Sequence, residues 1–182
     1  MGLVAVGVAT ALGVQDMRNI YTTDLLTTIA EAESNGNYNA YYGKAGNVDV
    51  QFTSMPVKDV LAWQKKFVDE GSPSSAVGRY QFIDSTLQSL VDQLRIDQQE
   101  IFNEALQDKL AVALLERRGL RDYVDQKISR EEFAHNLSKE WAALPRVIGN
   151  TPERSYYAGD GLNAAQLSID QIYAGIATVR KV

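Results

Sequence analysis

Apolar residues recur at three- and four-residue spacing along most of this chain, and turn or capping signals separate the recurrences. Such a chain buries one face of each of several short helices against the others, so its core comes mainly from helix packing. Leu25, Leu26, Ile29 and Ala30 form the first face, before "SNGN" breaks the helix. A second helix opens at Ser54 and Pro56 and runs to about Glu70, with Val57, Val60, Leu61, Phe67 and Val68 on its buried side. Asp84 is read as the cap of a third, whose face is Leu87, Leu90, Val91 and Leu94. A longer helix from about Gln99 to Arg118 ends at Gly119. "SREE" at 129–132 fits a capping box for a helix that carries Phe133, Leu137 and Trp141 and stops before Pro145. Ile169, Ile172, Tyr173 and Ile176 mark the last helix, from about Ser168 to Arg180.

One stretch breaks the helical rhythm. Between the first two helices, "YYGKAGNVDVQFTS" has glycines at 43 and 46 and alternates Val48, Val50 and Phe52, the period of a strand. The expected fold class is therefore α+β, mostly α-helical, with a small antiparallel β element directly after the first helix.

The first helix also carries an anomaly. Its apolar stripe continues onto Glu33, four residues after Ile29 and seven after Leu26. Glu31 falls on the polar face, and side chains two apart on a helix do not face each other, so the two are not a pair. A carboxylate held against apolar neighbours keeps its proton to higher pH, as a general acid requires. A helix end that turns Glu33 into water, or an arginine partner, is the competing reading.

Composition excludes several chemistries. The chain has 182 residues, net charge −5, no cysteine and one histidine, His135. Disulfides, a thiolate nucleophile and a multi-histidine metal site are ruled out. His135 lies inside an expected helix and reads as an ordinary helix side chain. There is no long basic run and no glycine-rich phosphate loop, so neither nucleic acid nor a nucleotide is an expected partner. No metal or other cofactor is implied. The uncharged opening "MGLVAVGVATALGV" is too short to span a bilayer as a helix and lacks the positive start of a signal peptide. Residues 1–20 are expected to pack on one domain over 21–182, with the remnant of a membrane-active or secretory segment as the alternative.

Four segments taken together, "IAEAESNGNYNAYYG", "SSAVGRYQFIDSTL", "LSKEWAALP" and "SYYAGDGLNAA", resemble the phage muramidases related to the phage lambda endolysin, over roughly residues 24–175. The resemblance implies a lysozyme-like fold and cleavage of the β-1,4 bond between N-acetylmuramic acid and N-acetylglucosamine in peptidoglycan. It places the catalytic glutamate at Glu33. It implies lytic transglycosylation, in which one carboxylate acts as acid and then as base and a 1,6-anhydro ring closes. The partner is then a peptidoglycan glycan strand, met in the bacterial periplasm by a phage-encoded monomer that is freed at lysis or carried in the virion.

A hydrolase would need a second carboxylate across the scissile bond. Asp49 is the nearby candidate, with a turn-capping or substrate-orienting role as the alternative. Substrate contact is expected of Gln81 and of Tyr80 in "GRYQF", where the resemblance implies a cleft wall. Gln81 offers both donor and acceptor, and Tyr80 serves equally well as a core residue. Gly78 is expected to permit a turn. Ser34 is expected to bond Glu33, contact substrate or cap the turn. Tyr156 and Tyr157 stand outside any helical pattern, and at least one is expected to meet a sugar. Trp141 is expected in the core. Beside the transglycosylase stand two other readings: a hydrolase using Glu33 and Asp49, and a non-catalytic wall-binding module of a phage particle.

Overall fold

The computed structural model describes residues 20–182. The apolar opening over 1–19 lies outside the described residues. Within them the chain is α+β and mostly helical, with α1 (Thr23–Ser34), α2 (Val57–Asp69), α3 (Asp84–Leu94), α4 (Glu104–Arg117), α5 (Leu120–Val124), α6 (Arg130–Ser138) and α7 (Ile169–Ala177). A two-stranded antiparallel sheet joins β1 (Ile20–Tyr21) to β2 (Arg180–Lys181), in the register Ile20 to Lys181 and Tyr21 to Arg180. Among the described residues, no helix is long and apolar enough to cross a membrane.

The apolar faces meet as their spacing predicts. Leu25, Ile29, Leu87, Leu90, Leu110, Leu114, Phe133, Leu137, Ile172 and Ile176 all belong to one buried cluster. α1 packs against α7 and α4, α2 against α3, and α6 against α7. The α1–α7 approach is close because Gly175 has no side chain. A Cβ there would lie 3.1 Å from the Thr28 hydroxyl oxygen and 3.4 Å from Leu25. α1 ends where the sequence breaks it. Asn35 adopts the left-handed conformation (φ 53°), and the Gly36 N–H returns to the Ala30 carbonyl at 3.1 Å.

Several boundaries differ from expectation. The long helix starts at Glu104 rather than Gln99, with the Asn103 side chain accepting from the Leu106 N–H at 2.9 Å. Asp84 is the first residue of α3, with Ile83 at the N-cap position and no side-chain cap, and its carboxylate accepts from the Ser75 hydroxyl and the Ser85 N–H. Ser129 does cap α6, but the reciprocal capping box is the one between Ser168 and Gln171 at α7. α6 stops at Ser138, so Trp141 is buried in the turn that follows.

The hairpin expected over 48–52 is not formed. The Asn47 side chain replaces it: its amide donates to the Asn39 and Val50 carbonyls, and its oxygen accepts from the Asp49 and Val50 N–H groups. An asparagine that binds this much backbone outcompetes a strand ladder. Phe52 begins a 3₁₀ turn (Phe52–Ser54) and is fully buried, while Val48 points outward. The extended pairing after α1 is made of isolated bridges instead, Tyr41 to Lys44 and to Val77, and Val77 to Phe82. These bring the "GRYQF" turn beside the end of α1.

Candidate active site

A cleft of about 670 Å³ opens at the end of α1. Glu33 lies on one side of it, the segment from Pro73 to Asp84 forms another wall, and the end of α4, residues 139–142 and the loop around Tyr157 and Leu162 complete it. A 12-residue helix delivers Glu33 in its last turn, because Leu26, Ile29 and Ala30 bury the face that Glu33 continues.

Among the described residues, the Glu33 carboxylate has one hydrogen bond, from the Ala143 N–H to Oε1 at 3.0 Å. Burial pushes its pKa from 4.5 up to about 7, and the Ala143 amide opposes that rise without cancelling it. The Ala143 peptide is itself held on its far side, where its carbonyl accepts from the N–H groups of Gln166 (2.7 Å) and Leu167 (3.2 Å).

The "GRYQF" wall is built from inside the protein. Gln107 of α4 is fully buried. Its Oε1 accepts from the Arg79 N–H at 2.9 Å, and its Nε2 donates to the Tyr38 and Phe102 carbonyls, both at 3.1 Å. Gly78 has φ +79°, and a Cβ there would stand 2.5 Å from Gln107 Oε1, so the turn excludes any side chain. Tyr80 is buried, lines the cleft, and donates its hydroxyl to Asp108 at 2.6 Å. Burial first, and the Asp108 carboxylate second, hold its phenol well above the ordinary value. Gln81 lines the cleft with φ +50°, and its amide donates back to the Gly78 carbonyl at 2.9 Å.

The remaining expected residues divide. Tyr157 lines the cleft and donates its hydroxyl to the Lys139 carbonyl at 2.7 Å. Tyr156 is outside the cleft lining, its ring edge-on to His135 and to Tyr157. His135 sits in α6 against the Arg146 carbonyl. Ser34 is only 1% exposed and is not part of the cleft lining. Its hydroxyl donates to the Arg79 carbonyl at 2.7 Å and so ties α1 to the "GRYQF" turn. Asp49 also lies outside the cleft lining, with its side chain 70% exposed and paired to Lys44 at 2.7 Å.

The sequence of residues 23–164 matches the model of a protein family described as Endolysin. This chain belongs to the endolysin family. It is thus a phage-encoded enzyme of the kind that degrades the bacterial cell wall. The match begins at the first residue of α1 and ends in the loop before α7, so it contains Glu33 and every other cleft-lining residue. No curated protein and no solved structure gave a match.

This endolysin also places in the cleft a charge pair that sequence reasoning missed. Glu140, 7% exposed at its side chain, accepts from the Arg118 Nε at 2.8 Å, and both residues line the cleft. Glu140 is three after Leu137 and seven after Phe133, on the apolar side of the helix expected here, but α6 ends at Ser138 before reaching it. Among the described residues, no group of three or more metal-ligating side chains clusters closely enough to hold an ion.

Proposed function

We propose that this endolysin is a muramidase of the lytic transglycosylase type, with Glu33 as the general acid and then the general base. The observation that carries the reading is the contrast among the cleft carboxylates. Among the described residues, Glu33 has a single backbone donor, and its pKa is raised to about 7. Asp84 is engaged by the Ser75 hydroxyl and the Ser85 N–H, and Glu140 by Arg118. A group that is half-protonated near neutrality serves best where one residue must both give and take a proton.

In this reading Glu33 gives its proton to the glycosidic oxygen as the bond from the muramyl anomeric carbon breaks. The Glu33 carboxylate then takes the proton of the muramyl 6-hydroxyl as that oxygen attacks the same carbon. The glycosidic bond is replaced by a 1,6-anhydro bond, and Glu33 is again protonated. No water enters. The nucleophile is already tethered to the reacting ring, and proximity does the work of a second catalytic residue. Tyr157 and Gln81 border the cleft where sugar rings would lie, and Asp49, tied to Lys44 at the surface, has no part in the step. The substrate is the glycan strand of peptidoglycan. The protein acts in the periplasm as a monomer.

Hydrolysis is the second reading, and Glu140 is the residue that favours it, because it puts another carboxylate in the cleft. Mass analysis of purified peptidoglycan after digestion tests the choice. Anhydromuramyl ends are expected. Products one water heavier, with new reducing ends, would assign a hydrolase.

A further inference from the structure

The turn that presents the Ala143 amide to Glu33 is fastened at its opposite end by side chains from elsewhere in the chain. The Lys139 carbonyl accepts from two of them, the Tyr157 hydroxyl at 2.7 Å and the Arg118 Nη2 at 3.1 Å. The same guanidinium pairs through Nε with Glu140, the next residue. Arg118 therefore holds two consecutive residues with one planar group, a geometry that lysine cannot reproduce. Four residues after Lys139 the chain delivers the Ala143 N–H, and beyond it the Gln166 and Leu167 amides grip the Ala143 carbonyl. Between these two fixings lie only Trp141, which is buried, and Ala142.

We propose that Arg118 is a positioning residue for Glu33: by clamping Lys139 and Glu140 it sets the turn whose Ala143 amide orients the catalytic carboxylate. The inference rests on the reading of Glu33 given above. Arg118 does not touch Glu33's proton path. It acts through the backbone of residues 139–143. Glu140 on this view serves as the partner of Arg118 and takes no part in the proton transfers.

Besides Arg118 and Glu140, the ionisable groups that share the cleft with Glu33 are Asp84 of α3, Arg117 at the end of α4 and Lys139. The phenols of Tyr42, Tyr80 and Tyr157 line it too. Of these only Arg118, Glu140, Lys139 and Tyr157 belong to the clamp. Arg117 turns instead to Ser89 and Gln93 on α3.

The test is a set of variants assayed on soluble glycan strands across pH, with folded fraction measured in parallel. Arg118→Gln is expected to lower kcat by about 10- to 100-fold per folded molecule with little change in KM, because a small misplacement of a catalytic group costs this much. Its high-pH limb should move upward, since a loosened Ala143 amide no longer favours the Glu33 carboxylate. Arg118→Lys should restore part of kcat, not all, because it recovers the charge and not the fork. Tyr157→Phe removes the other donor to Lys139, carries little risk to folding, and should give a smaller effect of the same sign. Glu140→Gln should lower kcat in the same direction but by less than Arg118→Gln, as its amide oxygen still accepts from Arg118 while the ionic part of the pair is lost.

Wild-type kcat and pH profile in Arg118→Gln would overturn the proposal. So would a loss explained wholly by unfolding, with Tyr157→Phe unchanged. Inactivation by Glu140→Gln would overturn it in another way, by making Glu140 the proton carrier. An active Glu33→Gln would instead overturn the reading of the site on which the proposal rests.

Discussion

The amide of Ala143 donates to the carboxylate of Glu33 across 110 residues of chain, at 3.0 Å. Two segments that share no local sequence relation thus meet at one proton-carrying group. Because a backbone N–H stabilises the charged form while burial opposes it, the balance of the two decides where Glu33 titrates. That balance lies at about 7.

Replacing Glu33 with glutamine should leave the fold intact and lower wall-clearing activity by at least about 10²–10⁴-fold, the usual worth of a positioned acid–base group. Glu31→Gln should remain active, since Glu31 belongs to the exposed side of α1. Wild-type activity should fall as pH rises through about 7, where Glu33 loses its proton. Turbidity clearance of purified cell walls between pH 5 and pH 9 measures all three, and a dead Glu31→Gln beside an active Glu33→Gln would reverse the assignment.

The same residue should make stability depend on pH. An acid whose folded pKa is raised is harder to ionise in the folded state than in the unfolded chain. Below pH 4.5 both states carry the proton and nothing is lost. Between 4.5 and about 7 the unfolded state ionises first, so stability declines, and above about 7 the full penalty remains. Glutamine removes this penalty and can still accept from Ala143. Glu33→Gln should therefore be more stable than wild type at pH 8, by about 1–3 kcal/mol, and nearly equal to it at pH 4. Urea titrations at the two pH values decide it, and an equal difference at both would disprove the burial of the charge.

Asp49→Asn should reduce activity modestly at most, and its products should still carry 1,6-anhydro ends. The Lys44 ion pair it breaks is exposed at both partners, where such pairs contribute about 0–1 kcal/mol. Complete inactivation of Asp49→Asn, measured by mass spectrometry of digested strands, would return Asp49 to the chemistry.

Gly78→Ala should be among the most damaging single-methyl changes in the protein. It forces a left-handed φ on a residue with a Cβ, at a cost of about 1–2 kcal/mol, and drives that Cβ into Gln107 Oε1. Thermal unfolding should fall by several degrees. A melting temperature within a degree of wild type would show that the Gln107 clamp yields without cost.

Alanine at Tyr157 should lower turnover more than stability, because the side chain borders the cleft and grips the Lys139 carbonyl. Alanine at Tyr156 should do less to turnover, since that ring packs on His135 outside the cleft. Paired measurements of activity per folded molecule and melting temperature separate the two, and a larger activity loss at Tyr156 would contradict the placement.

The sequence was most legible where one periodicity spoke for many residues. The stripe from Leu25 to Ala30 fixed the phase of α1, and the phase put Glu33 on the inner face and Glu31 on the outer one. Local pattern failed where a side chain overrode the backbone. Val48, Val50 and Phe52 alternate as a strand does, yet Asn47 takes the hydrogen bonds that a hairpin would have used. Ser34 follows Glu33 in the chain, and its hydroxyl donates to a carbonyl 45 residues away, a contact that no local pattern announces. Glu140 and Arg118 are 22 residues apart, and no local rule couples them. Contacts of that kind are set by how helices pack, and the sequence reveals them only once the packing is known.

The pairing of Ile20 with Lys181 and Tyr21 with Arg180 has a mechanical consequence. The two ends of the described chain leave side by side, and none of these residues borders the cleft. Tension applied between those ends would peel the short ladder apart one residue pair at a time, as a zipper opens, before it reached the helices. A load applied at Ile20 or Lys181 would act on this one corner, which supplies none of the residues that line the cleft.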